Sequence, residues 1–328
     1  MARTVALKFA IGVDLGGTKL LAGAVGPDLA VRHRARRLVA GLDQRALVDA
    51  CVEAVEEAAA AVGGAVEAVG VGIPCTIDQR TGIAVMAVNL PLRDIPFRDV
   101  LAERLGLPVV VDNDANCAVL AEARAGAGRG AADVALLTIG TGIGGGLVLG
   151  GELFRGAVGA GAELGHMVVD MDGPRCQGFC PNRGCLEAVA SGTALEREAA
   201  LAVRSRPGSA LARAVGEGRE LTGPLITELA HDGDAVAREV LALIGRRLGV
   251  GLSSIVNIFN PSVVVVGGGV IGAGEMLLGP ARAEMRARAL APSRDLVQVL
   301  PAAFGAESGM VGAALLARET LAGAGAGG

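Results

Sequence analysis

One pattern occurs twice in this chain and limits the folds open to it. Phe9-Ala-Ile-Gly-Val-Asp14-Leu-Gly-Gly-Thr-Lys19 is echoed by Ala135-Leu-Leu-Thr138-Ile-Gly-Thr-Gly-Ile-Gly-Gly145. Each is an apolar strand, a tight glycine turn carrying a threonine, and a second apolar strand. A further strand-to-glycine turn, Val69-Gly-Val-Gly-Ile-Pro74, has a partner in Val264-Val-Val-Gly-Gly-Gly269. Two elements repeated in the same order predict a two-fold duplicated architecture with a cleft between the halves, where a small ligand can be enclosed. The length of 328 residues, about twice that of a typical domain, agrees with two domains.

Strand and helix patterns alternate along the rest of the chain, which places it in the α/β class. Strands are expected at residues 7–13, 20–25, 30–38, 68–71, 109–111, 134–139, 147–149 and 263–266. Helices are expected at 44–62, 97–105, from about Asn113 to Arg124, and at 234–259, 275–290 and 310–321. Asn260-Pro261 ends the long helix, because the residue before proline avoids the α region. The Ala/Gly tail, 322–328, is expected to fray.

Composition narrows the function. Hydrophobic residues make up 52% of the chain and charged residues 20%, enough apolar material for sizeable cores. A net charge of −4 gives no field that attracts nucleic acid or anionic lipid. With no Trp, no Tyr and six Phe, stacking platforms are excluded, so a small polar ligand must be held by hydrogen bonds. Two uncharged runs, 134–151 and 248–274, are dense in glycine, and the second contains Asn257, Asn260 and Pro261. They read as buried strands and turns rather than membrane spans. The N-terminal apolar stretch is broken by Lys8 and closed by Asp14 without a cleavage pattern. The expectation is a cytoplasmic protein with reduced cysteines.

Four features carry chemistry. In Asp14-Leu-Gly-Gly-Thr-Lys19, Gly16 and Gly17 let backbone N–H groups approach a phosphate, since no Cβ intervenes. Thr18 adds a hydroxyl, Lys19 a compact point charge, and Asp14 a carboxylate able to hold a water of Mg2+. Lys19 stands out because only it and Lys8 are lysine among 30 basic residues. The run from Thr138 through Gly140, Thr141 and Gly142 to Gly146 supplies a second glycine loop and the other side of a phosphate clamp. Gly267 and Gly268, after a buried strand, fit either close approach to a nucleoside or a helix–strand packing turn. Asp112-Asn113-Asp114 opens a helix. One such residue suffices as a cap, and a carboxylate beside the helix's positive end can stay ionised and accept a hydroxyl proton. His166, Cys176, Cys180 and Cys185 form a Cys3His set suited to a closed tetrahedral zinc site, and the odd number of cysteines speaks against disulfides. Arg32, Arg34, Arg36 and Arg37 alternate with apolar residues as one solvated strand face.

Together and in this order these motifs resemble the ROK family of sugar kinases and related repressors. The resemblance runs from about Phe9 to Leu316 and rests on Asp14-Leu-Gly-Gly-Thr-Lys19, Asn89-Leu-Pro91, Asn113-Asp-Ala-Asn116, Gly140-Thr-Gly-Ile-Gly-Gly-Gly146, Glu163-Leu-Gly-His166 and Gly184-Cys-Leu-Glu187. It implies a two-domain actin-like ATPase fold, built of ribonuclease-H-like halves. Residues 1–117 with 313–328 would form one domain, and 118–312 a larger domain carrying the zinc loop. It implies Asp114 as base and sugar ligands at Asn89, Asn113, Glu163, His166 and Glu187. The family zinc site would be His166, Cys176, Cys180 and Cys185, so that His166 serves metal and sugar with one ring nitrogen each. The sequence departs from the family in having Gln177-Gly-Phe179 between the first two cysteines, where many relatives have one residue. It also has Cys75 where glycine is common and Val88 where proline is common.

The implied reaction is phosphoryl transfer from MgATP to the primary hydroxyl of a hexose, most simply glucose. Kinases for N-acetylmannosamine, fructose or allose are the alternatives, as are polyphosphate as donor and a sugar sensor without catalysis. A repressor would need a DNA-binding module ahead of Asp14, where 13 residues stand. Relatives are often dimers or tetramers, so a homo-oligomer is expected.

Overall fold

The computed structural model describes residues 8–87 and 90–326. The chain opens with strands β1 (Phe9–Leu15), β2 (Lys19–Val25) and β3 (Val31–Leu38), helix α1 (Gln44–Ala60) and strand β4 (Val66–Ile73). A small antiparallel sheet of β5 (Cys75–Asp78), β6 (Ile83–Ala87) and β7 (Arg93–Ile95) precedes α2 (Phe97–Leu105), β8 (Val109–Asn113) and α3 (Asp114–Ala125). The second half begins with β9 (Val134–Ile139), β10 (Ile143–Leu149) and β11 (Glu152–Leu153). Four helices follow, α4 (Leu186–Ala190), α5 (Gly192–Ser205), α6 (Ala210–Gly216) and α7 (Gly223–His231). The chain ends with α8 (Ala235–Phe259), β12 (Val263–Gly267), α9 (Glu275–Arg288), α10 (Ser293–Leu296), β13 (Gln298–Pro301) and α11 (Ser308–Ala326).

The sequence echo is an echo of topology. The first sheet has the order β3-β2-β1-β4-β8 and the second β11-β10-β9-β12-β13. In each, an antiparallel meander of three strands is extended by two parallel strands. Thus β1 corresponds to β9 and β4 to β12, the pairs that the repeated motifs mark. Parallel pairing sets the C-terminal ends of β1, β4 and β8 on one edge of the first sheet, and those of β9, β12 and β13 on one edge of the second. Asp14 of β1 lies beside Gly72 of β4, which lies beside Asp112 of β8. In the second sheet Gly267 lies beside Thr138.

Two helices connect the sheets. Helix α3 leaves the catalytic-looking edge of the first sheet and packs its first turn on β10, where Gly144 and Gly146 give it room. Helix α11 returns to the first sheet at close range. A Cβ at Gly12 would lie 1.9 Å from the Met310 carbonyl oxygen, and one at Gly70 would lie 1.8 Å from that of Ala313. No other residue type fits there.

Most expected elements stand within two or three residues of their expected ends, with four differences. Ile143–Gly146 is strand, so the second glycine loop shrinks to residues 140–142 and Thr138 sits on β9. The last helix continues to Ala326 instead of fraying at 322. The small third sheet, strands β11 and β13, and helices α4–α7 and α10 were not expected. The expected first strand began at Leu7, outside the described residues. Both glycine-rich uncharged runs are internal: one is the β9–β10 hairpin, the other the end of α8 with β12. By length and apolarity α8 could cross a membrane, yet Leu241, Ile244, Leu248, Leu252 and Ile255 are fully buried in the second core. Arg32, Arg34 and Arg36 of β3 line an exposed face, where Arg32 pairs with Asp28 and Arg34 with Glu307; Arg37, expected on the same face, lies on the opposite one with Glu57, because adjacent strand residues alternate.

Candidate active site

The first glycine turn is closed by the Gly16 N–H donating to the Lys19 carbonyl at 2.9 Å. Thr18 and Lys19 are exposed at its tip. Asp14 lies just behind it. Burial, and then the charge of nearby Asp114, push its carboxyl up to about 7. Asp114 is the first residue of α3. Asn113 caps that helix, accepting from the N–H groups of Ala115 and Asn116 at 2.9 and 3.2 Å. Burial raises Asp114 above the ordinary carboxylate range, the Ala115 N–H at 2.9 Å opposes this, and Glu163 raises it further.

Asp112 takes neither role. It is 1% exposed, ion-paired with Arg155 at 2.7 Å, and accepts from the Asn113 N–H at 2.7 Å and Asn116 Nδ2 at 2.9 Å. It thus holds the strand end from which Asn113 and Asp114 project. Arg155 comes from the loop after β11 in the other half of the chain. Nothing in the sequence marked this arginine, because its partner lies 43 positions away.

The second half contributes three groups around Ile143, the first residue of β10. Glu187, in the first turn of α4, accepts from the Ile143 N–H with Oε2 at 2.8 Å and faces the Cys176 thiol with Oε1 at 3.6 Å. Gly165 packs on the Ile143 carbonyl, which places Glu163 and His166 beside the same strand. Desolvation raises the Glu163 carboxyl, His166 lowers it and Glu187 raises it. His166 directs Nε2 at Glu163 (4.0 Å) and Nδ1 at Cys176 Sγ (3.5 Å). The donor atoms of His166, Cys176, Cys180 and Cys185 all lie within 4.8 Å of one another. Such a compact set, three soft sulfurs and one imidazole, suits a tetrahedral ion.

Of the expected residues, Asp114 is close enough to raise Asp14, Glu163 to raise Asp114, and Glu187 to raise Glu163. Asn89 lies outside the described residues. Gly268 adopts φ +88°, and a Cβ there would strike the Ile139 backbone at 2.3 Å, so strand packing alone explains this glycine. Surface grooves of about 540 Å3 between α9 and β13, and about 570 Å3 between α5 and α8, contain none of these groups.

The ROK family model matches residues 10–320. The glucokinase of Streptomyces coelicolor is 37% identical over 313 residues, covering 94% of this chain and 97% of its own. A crystal structure of a ROK family glucokinase from Streptomyces griseus, in complex with glucose and AMPPNP, superposes with a TM-score of 0.84 at 39% identity, covering 95% of this chain and 99% of that one. A ROK family transcriptional regulator, a homolog of the E. coli MLC protein, superposes with a TM-score of 0.85 at 26% identity, covering 95% of this chain and 78% of its own. The duplicated sheets are those of the two-domain actin-like ATPase fold. With the repeated topology, the grouped site motifs and a family match over nearly the whole length, this chain belongs to the ROK family.

Proposed function

We propose that this protein is an ATP-dependent glucokinase, transferring the γ-phosphoryl group of ATP to the primary hydroxyl of glucose. The observation that carries this reading is the placement of Asp114. It is a half-buried carboxylate with a raised pKa, at a helix N-terminus, beside Asp14 and next to Ala115, which packs on the strand that leaves the second glycine turn. The relative in S. coelicolor, 37% identical over 94% of this chain, is a glucokinase, which supports the substrate.

In this reading the sugar hydroxyl gives its proton to Asp114 as its oxygen attacks the γ-phosphorus and the bond to the β-phosphate breaks. A raised pKa makes Asp114 a better base than an ordinary carboxylate once ionised. Asn113, Glu163 and His166 hold sugar hydroxyls, with Asn89 as a further ligand. Glu187 reaches the sugar with the lone pairs that Ile143 and Cys176 leave free. The turn around Gly16, Gly17, Thr18 and Lys19 faces the phosphates from one side, and Gly140, Thr141 and Gly142 from the other, with Thr138 and Gly267 behind them. Asp14 is the carboxylate that would hold Mg2+, which neutralises phosphate charge when bound. Zinc would be held by His166 Nδ1 and the three thiolates, leaving no open position, so its part is structural. The imidazole is then fixed with Nε2 toward the sugar.

The bodies that close on the substrates are residues 1–117 with 313–328, and 118–312. A cytoplasmic setting and assembly into dimers or tetramers belong to the same reading, the latter checked by light scattering. A coupled ADP-release assay over glucose, N-acetylmannosamine, fructose and allose, with polyphosphate as rival donor, tests the function. Glucose with ATP should give the highest kcat/KM. Absence of turnover with every hexose overturns the kinase, and a higher kcat/KM for another sugar overturns the glucose assignment. Elemental analysis should find one zinc per chain, and Cys180→Ser should lose both the metal and several kcal/mol of stability, since binding energy at such a site is folding energy. Active protein with less than about 0.2 zinc per chain would exclude a structural ion.

A further inference from the structure

The loop between the first two cysteines, Gln177-Gly-Phe179, reaches the second glycine turn. Gln177 lies in it and points away from the sulfurs. Its Nε2 donates to the Thr141 carbonyl at 3.1 Å and to Ser191 Oγ at 3.2 Å. Thr193 Oγ1 donates to the same Thr141 carbonyl at 2.9 Å and lies 3.5 Å from Gln177 Oε1. The neighbouring Gly140 carbonyl accepts from the Gly192 N–H at 2.7 Å. Ser191 is itself the N-cap of α5. The second glycine turn is therefore fastened by the carbonyls of Gly140 and Thr141 to the start of α5 and to the cysteine loop.

A trans peptide is planar, with its C=O and N–H pointing in opposite directions. Fixing the carbonyls of Gly140 and Thr141 turns the N–H groups of Thr141 and Gly142 the other way. Neither donates to a protein acceptor among the described residues. Two adjacent, outward-facing backbone donors are what a phosphate oxygen requires.

We propose that Gln177 is a positioning residue for the nucleotide. It links the cysteine–histidine cluster to the orientation of residues 140–142, so that metal loading strengthens binding of the nucleoside triphosphate. This rests on the phosphate-binding reading of that turn. Gln177→Met preserves most of the side-chain volume and removes the amide. In zinc-loaded protein it should keep its metal and melting temperature, while the Kd for MgAMPPNP and the KM for ATP rise roughly three- to tenfold, the usual range for one neutral hydrogen bond. The KM for glucose should stay unchanged. Thr193→Val should act in the same direction. A second comparison strips zinc with a chelator. Nucleotide affinity should fall more in the unaltered protein than in Gln177→Met, because the two changes act on one contact.

Unchanged MgAMPPNP affinity in zinc-loaded Gln177→Met overturns the proposal, as does an equal loss of glucose and nucleotide affinity. Equal losses on chelation in both proteins overturn the link to the metal. The first comparison uses loaded proteins only, so unfolding on chelation leaves it decisive. Failure of the unaltered protein to bind MgAMPPNP strikes the kinase reading itself and is told apart by that control.

Discussion

At the scale of single residues, three adjacent positions divide three tasks that the sequence alone assigns ambiguously. Asp112-Asn113-Asp114 reads as one cap with two spare groups. The structure gives the cap to Asn113, the strand anchor to Asp112, and leaves Asp114 as the group with a raised pKa. Asp114→Asn keeps size and an acceptor but takes no proton, so kcat should drop by about 10²–10⁴ while nucleotide affinity holds. A variant keeping more than about a third of turnover would reduce Asp114 to a helix residue and turn attention to Glu163. Arg155→Met leaves Asp112 buried without its cation. Its remaining partners, the Asn113 N–H and Asn116, and the 30% exposure of Arg155 soften the loss. Stability in urea should fall by about 1–3 kcal/mol. Turnover should suffer with it, because the strand end carrying Asp114 loses its brace. No change in either quantity would make the ion pair ornamental.

Secondary-structure elements were legible in most places where one period ran long, the 14-residue α5 being the exception. The strands of the two repeats and the helices α1, α2, α8 and α9 show such runs, and their expected spans hold to within a few residues. The third sheet did not, since its strands have three to five residues, too few for an alternation to stand out. Nor did α4, α6 and α7, of five to nine residues: α6 and α7 start on single Ser and Thr caps, and α4 follows Cys185 with no side-chain cap bond. The connection between elements is less legible still. Glu122, on α3, is fully buried and accepts four hydrogen bonds, from the N–H groups of Ala127, Ala303 and Phe304 and from Ser308 Oγ, each at 2.9 Å. Three of these come from the stretch that leads into α11. One carboxylate thus fastens both passages of the chain between the sheets. No window of sequence reveals this, because the partners stand 181 positions or more apart, except Ala127. Glu122→Gln presents an NH2 group to N–H donors and strands one or two of them, so unfolding should cost about 2–5 kcal/mol less. Thermal melting measures it, and a loss below about 0.5 kcal/mol would mean the passages are held by apolar packing alone.

For the whole molecule, duplication places unlike charges at like positions. Each sheet turns the C-terminal ends of its parallel strands to the site, but the first carries Asp14 and Asp114 there and the second a glycine turn with free N–H groups. The carboxylates crowd one another, and burial adds to the cost of ionising them. Asp14 titrates at about 7 in the folded protein against an ordinary value of 3.8, and Asp114 and Glu163 shift the same way. A raised folded pKa means that the folded state holds its proton more tightly than the unfolded chain. The stabilisation is complete below the unfolded value and is lost as pH rises through the folded one. Ligand-free protein should therefore lose stability between about pH 4 and 7, by at most about 1.4 kcal/mol per pH unit for each group. Asp14→Asn has no proton to lose and should give a flatter profile and higher stability at pH 8. Urea titrations at several pH values compare the two. Parallel profiles would show that Asp14 is ionised at little cost in the empty site. A flatter variant profile would mean that the folded chain holds these carboxylates against their own repulsion until a cation and phosphates arrive, a conflict that local preferences alone would have removed.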